Sequence, residues 1–180
     1  MILKKKYTVL YMSYDGILEN LGQSQILPLL KKLSKNWNLI LMTFEKKVDL
    51  NNDKKKHILR EINNHKIKLV LNIYSDYIYF FSTIFNFIKG NIQLIKILLF
   101  SNIKIVHLRS LMPALIILPY IYLFNFKIIF DIRGFWIDEK VDRRDLDKKS
   151  FTYYFFKKIE KIFILKSDAI VCLTHESKNI

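Results

Sequence analysis

Apolar positions along the chain fall into short unbroken runs separated by amphipathic or charged stretches, and the two kinds alternate from end to end. Residues 7–13 (YTVLYMS) form the first run and stop at a polar, glycine-bearing loop over 14–23, which is how a strand buried on both faces reads. In SQILPLLKKLSK, Ile26, Leu29, Leu30 and Leu33 recur at helical spacing, with Ser24 placed to cap and Pro28 inside the first turn. Residues 37–44 (WNLILMTF) predict a second strand, 53–65 a charged surface helix and 67–73 (IKLVLNI) a third strand. Next come a long or broken helix over 80–100, a strand over 104–108 (KIVHL) and an apolar helix over 113–124. A strand over 127–132 (KIIFDI), a helix over 150–165 and a closing strand over 168–174 (DAIVCLT) complete the series. This alternation predicts the α/β class: one Rossmann-like domain over 1–180, a parallel sheet with helices on both faces, joined by right-handed crossovers. In such a sheet ligands belong at the carboxyl ends of the strands.

Composition narrows the partners. With 180 residues, 51% of them hydrophobic, the chain can bury a sizeable core. Its net charge of +14 favours anionic partners, although much of that charge is Lys in a chain also crowded with Ile and Asn. Nucleic acid is disfavoured, because the aromatics lie in apolar runs and no RNA-binding or helix-turn-helix signature appears. A lone Cys172 makes no internal disulfide and fits a reducing, cytoplasmic compartment. The start, MILKKKYTVLYMSYDG, reads as a strand rather than a signal peptide. Residues 77–100 and 111–126 are apolar, but lysines, prolines and polar residues interrupt them, so they read as buried helices. The mixture of aromatics and lysines over 77–96 also suits an interfacial helix, giving peripheral contact with the inner face of a membrane. From it follows the alternative to an enzyme: a non-catalytic membrane-surface or partner-binding module.

The strand-end rule selects four loops for chemistry, at 14–23, 109–113, 133–144 and 174–177. Gly16 and Gly22 lie in the first, which is no GxGxxG, so a nicotinamide dehydrogenase is disfavoured. The two glycines either let the backbone approach a phosphate or only shape the turn. Strand four ends in His107, Leu108 and Arg109, and strand five in Asp131, Ile132 and Arg133. Arginines there can clamp a phosphate or carboxylate, and His or Asp can orient a hydroxyl or move a proton. Equally, Asp131 and Arg133 can form a structural ion pair, and His107 can be a hydrogen-bonded core residue. Trp136, Asp138 and Glu139 suit a sugar cleft, the indole covering an apolar sugar face and the carboxylates bonding hydroxyls, or a solvated loop anchored by one tryptophan. No metal site is expected, since neither a His pair at helical spacing nor Asp-x-Asp appears, and no GxSxG elbow supports a hydrolase.

The segments YDGILENLGQSQILPLLKKLSK, IVHLRSLMPA, KIIFDIRGFWIDEKVDRR and KIEKIFILKSDAIVCLTHESK, in that order, resemble the amino-terminal domain of family-four-like glycosyltransferases; LGQSQ and FDIRGFW are the most specific pieces. The resemblance implies half of a two-domain GT-B fold, in a retaining enzyme that moves a sugar from a nucleotide-sugar donor to a glycan or lipid-linked acceptor, with no metal or other cofactor. It implies that the loop around Gly16 and Gly22 approaches the donor diphosphate, and that Arg109, Trp136, Asp138 and Glu139 meet the acceptor. Arg133 and Gly134 stand where the family often presents His-Gly toward the reacting sugar, with Asp131 and His107 beside them. The family's paired glutamates belong to a carboxyl-terminal donor-binding domain that is expected to be absent, as the closing THESKNI reads as the first turn of a further helix. On this reading the chain alone is inactive.

Overall fold

The computed structural model describes residues 7–51, 54–73 and 79–175, with side chains 51, 54 and 79–87 left aside. The apolar runs become six strands: β1 (Thr8–Ser13), β2 (Asn38–Glu45), β3 (Lys68–Ile73), β4 (Ile103–Arg109), β5 (Lys127–Ile132) and β6 (Ala169–Cys172). All neighbouring pairs are parallel, in the order β3-β2-β1-β4-β5-β6, so the order reverses between β1 and β4. A crevice opens beyond the strand ends at such a reversal, because the connections on its two sides leave in opposite directions.

Among the described residues six α-helices link the strands: α1 (Leu27–Leu33), α2 (Lys54–Asn64), α3 (Tyr79–Phe100), α4 (Leu111–Ile117), α5 (Trp136–Asp142) and α6 (Phe151–Lys166). Side chains alternate across each strand and divide the core in two. Leu10, Met12, Met42, Val106 and Phe130 pack against α3, α4 and α6, while Val9, Tyr11, Leu39 and Leu41 pack against α1 and α2.

Several boundaries differ from the sequence reading for local reasons. Ser24 does not cap α1: its hydroxyl donates to the Asn20 carbonyl at 2.7 Å, and Gly22–Ile26 form a π-helical turn that runs into α1. Pro28 sits in the first turn of α1 as expected; its ring crowds the carbonyl four residues back, and the wider turn makes room for it. The apolar helix expected over 113–124 is shorter, α4 giving way to a 3₁₀ turn at Leu118–Tyr120. The segment 133–144, read as a loop, contains α5. The start of the helix expected at 53, the first residues of the apolar stretch at 77, and most of the 174–180 tail lie outside the described residues, while the helix expected over 80–100 is α3. Among the described residues no helix is long and apolar enough to cross a membrane.

Candidate functional site

Strand register brings the sequence-predicted residues of β4 and β5 together. Ser13 of β1 pairs with Arg109 of β4, which pairs with Asp131 of β5, and Tyr11 pairs with His107 one step back. Period-two alternation puts all five side chains on one face of the sheet, the face that α1 and α2 cover elsewhere. Parallel strands therefore carry a row of polar side chains across the β1–β4 reversal, buried at the carboxyl ends.

Asp131, only 1% exposed, is the hub. Its Oδ2 accepts from Arg133 Nε and Nη2 at 3.0 and 2.8 Å and faces His107 Nε2 at 3.4 Å. Burial pushes its pKa up, but the His107 hydrogen bond and the Arg133 charge outweigh that, and the group titrates below the usual aspartate range. Its neighbours thus favour the carboxylate, a hydrogen-bond acceptor. Arg109, 3% exposed, donates from Nε to Asp15 at 3.3 Å and from Nη2 to Gln25 at 2.6 Å. The His107 ring lies 4.5 Å from that of Tyr11, whose phenol is pushed up by burial.

The row keeps unused hydrogen-bonding capacity. Of the seven buried side-chain polar atoms without a well-formed bond among the described residues, four lie here: Tyr11 Oη, which faces the Arg109 guanidinium, Ser13 Oγ, Arg109 Nη1 and Asp131 Oδ1. Native interiors leave few such atoms, each at a cost of roughly 1–3 kcal/mol, and four of them gather at the strand-end reversal, where sheets of this kind hold their ligands. The side chains that shield them, Asp15, Gln25 and Arg133, themselves reach solvent. Backbone strain sits here as well. Ser110 holds φ 74° and ψ −179°, a region nearly confined to glycine, and its N–H donates to the Asp131 carbonyl at 2.9 Å.

The first loop is built differently. Gly16 and Gly22 are both buried, and a Cβ on Gly22 would stand 2.6 Å from Ile17 Cα, so the glycine lets the π-helical turn press backbone against backbone. A Cβ on Gly16 would run into Glu45. That buried carboxylate, at the end of β2, accepts from Ile17 N–H at 2.7 Å, Leu18 N–H at 3.1 Å and the Thr43 hydroxyl at 2.8 Å. Burial raises its pKa despite these bonds. Two of the loop's N–H groups are accordingly taken by the protein's own anion.

The remaining predicted residues stand apart. Trp136 opens α5, meets Phe156 edge-on at 5.3 Å and has Lys140 over its ring at 5.2 Å. Asp138 accepts from the Tyr153 hydroxyl at 2.8 Å and from Lys157 Nζ at 2.9 Å, tying α5 to α6; burial opposes its ionisation, and these bonds lower its pKa overall. Glu139 is exposed and neighbours Gly134. Sequence reasoning missed Tyr11, Ser13, Glu45 and Ser110. The first two look like filler in an apolar strand, whereas Glu45, a carboxylate closing an apolar run, was a readable signal. Two surface grooves, of about 350 and 480 Å³, lie elsewhere: one beside Trp37 and Lys127 at the opposite strand ends, the other between α1 and α2. Among the described residues, no three His, Cys, Asp or Glu side chains gather where they could hold a metal ion.

No protein-family model matches the chain, and no curated protein matches it. Among solved structures it is similar to a glycosyltransferase from Rickettsia africae ESF-5, with a TM-score of 0.60 and 16% sequence identity. That likeness covers 98% of this chain but 39% of the other, so the chain spans about two fifths of the solved protein's length. At this identity the match speaks for the fold alone: this chain's six-stranded parallel Rossmann-like sheet is similar to part of a glycosyltransferase structure.

Proposed function

We propose that the chain is the acceptor-side, amino-terminal domain of a retaining glycosyltransferase of two-domain GT-B architecture. It would work with a carboxyl-terminal donor-binding domain on a nucleotide-sugar and a glycan or lipid-linked acceptor, in the cytoplasm. The observation that carries the reading is that Arg109 Nη1, a donor, and Asp131 Oδ1, an acceptor, belong to residues in register on adjacent strands, both buried and both without a partner among the described residues. A hydroxyl gives one hydrogen bond and accepts others, so a sugar hydroxyl answers both groups, with Tyr11 Oη and Ser13 Oγ beside them.

In this scheme Asp131 stays ionised, holds His107 and Arg133 in place and orients the reacting hydroxyl, while the Arg133 charge faces the developing charge of the departing nucleoside diphosphate. Trp136 offers an apolar ring to a sugar face, Glu139 a carboxylate to its hydroxyls, and Asp138 chiefly holds α5 in position. Gly16 and Gly22 bring the first loop close to the donor diphosphate. Since Glu45 already occupies the Ile17 and Leu18 N–H groups, the loop contributes shape more than free donors.

The test is an amide NMR titration of the chain with a panel of nucleotide-sugars and oligosaccharides. Shifts gathered at residues 13–16, 109–111 and 131–136 are the expected result. Shifts confined to the α1–α2 groove, or no saturable shift with any sugar, would remove the reading.

A further inference from the structure

The outer face of α3 carries an apolar stripe that the described residues leave uncovered. Ile88, Ile92, Ile95 and Leu99 are all exposed, Leu99 by 61%, and they recur at spacings of four, three and four residues. At about 100° per residue they fall within about 60° of one another and run along about 16 Å of helix. The opposite side of the same helix, with Leu94, Ile97 and Leu98, is already buried in the core, so the stripe is a second apolar face. Lys89 and Lys96 lie together on one flank of it.

Charge decides what could cover it. No Asp or Glu occurs between Asp76 and Asp131, and the charged residues of α3 are Lys89 and Lys96. A second copy would bring the same lysines against each other with no carboxylate on α3 to pair them, on a chain of net charge +14. An anionic bilayer offers both what the isoleucines lack and what the lysines lack: acyl chains under the stripe and phosphates at its flank. The same helical layer continues through α4 to α6, which exposes Phe151, Tyr154 and Phe155 at its start, aromatics of the kind that seat at headgroup depth.

We propose that this layer is a peripheral membrane-binding surface, with α3 lying in the plane of an anionic lipid leaflet. The proposal stands independently of the sugar site, since none of its residues belongs to the strand-end row. It extends the interfacial reading of 77–96 to a defined face, and residues 79–87 are not needed for it.

Flotation of the chain with vesicles of phosphatidylcholine alone, and with about one third phosphatidylglycerol, tests it. The chain is expected to float with the anionic vesicles and to be released by high salt. The triple variant Ile92→Ser, Ile95→Ser, Leu99→Ser should bind about tenfold more weakly at an unchanged circular-dichroism spectrum. The pair Lys89→Glu, Lys96→Glu should lose the preference for anionic lipid, and Ile95→Trp should shift its fluorescence to the blue on vesicles. Failure of the unaltered chain to float with anionic vesicles overturns the proposal, as does flotation that the serine variant leaves unchanged. A concentration-dependent dimer that the serine variant abolishes would assign the stripe to a second copy instead.

Discussion

Glu45 and Asp131 are both carboxylates buried at the carboxyl ends of parallel strands, on the same face of one sheet, yet the protein uses them in opposite ways. Both Glu45 oxygens are bonded, to two backbone N–H groups and a hydroxyl, and the charge that bears on them is the like charge of Glu19. Asp131 gathers His107 and Arg133 on one oxygen and leaves the other unused. Burial dominates the first group and raises its pKa; burial is overcome by cationic and hydrogen-bonding neighbours at the second and its pKa falls. Burial of a carboxylate therefore does not by itself identify a site. The oxygen that Asp131 keeps without a partner is what sets it apart from Glu45.

The comparison breaks most visibly at Glu45. Replacing it by Ala strands the Ile17 and Leu18 N–H groups and the Thr43 hydroxyl inside the protein, and we expect a loss of about 3 kcal/mol in urea unfolding. A loss under about 1 kcal/mol would mean that the first loop does not depend on this anchor. Acid and base should then separate the two carboxylates. Asp131, with its folded pKa lowered, contributes stability that is present above the unfolded aspartate pKa and is lost as pH falls through the folded value. Glu45, with its folded pKa raised, contributes most below the unfolded glutamate pKa, and that contribution is lost as pH rises through the folded value. Stability curves of Asp131→Asn and Glu45→Gln against pH should accordingly flatten on opposite sides, Asp131→Asn at the acid end and Glu45→Gln above it. The smallest expected effect is at Ser110. Glycine there relieves the strained φ, and thermal unfolding should show a gain of about 1 kcal/mol, with no gain in sugar binding.

The sequence made the strands legible because a parallel sheet buried on both faces needs continuous apolar runs, and 127–132 was read to the residue. Helix ends were less legible. Ser24 looked like a cap because the spacing of Ile26 and Leu30 continues through it, but the crowding by Pro28 and the contact at Gly22 favoured a π-helical turn there. α5 was hidden because a charged segment of seven helical residues has too little apolar periodicity to announce itself. At the site, the strand-end rule found His107, Arg109, Asp131 and Arg133, whose side chains read as out of place in apolar strands. It could not find Tyr11 and Ser13, which pass as ordinary strand residues until register sets them beside His107 and Arg109. Nor could it separate Asp138, whose bonds to Tyr153 and Lys157 depend on how α5 meets α6.

Binding of a sugar ligand by Asp131→Asn, with Glu45→Gln as its counterpart, tests the central claim most directly. In Asp131→Asn the amide oxygen turns toward His107 and Arg133 and leaves an N–H where the open acceptor stood, beside the Arg109 donor. Affinity for the nucleotide-sugar or oligosaccharide that shifts the wild-type spectrum should fall about tenfold, equivalent to about 1.4 kcal/mol, with the fold intact. Glu45→Gln should bind as the wild type does. Equal affinity in Asp131→Asn and the wild type, or an equal loss in both variants, would contradict the account.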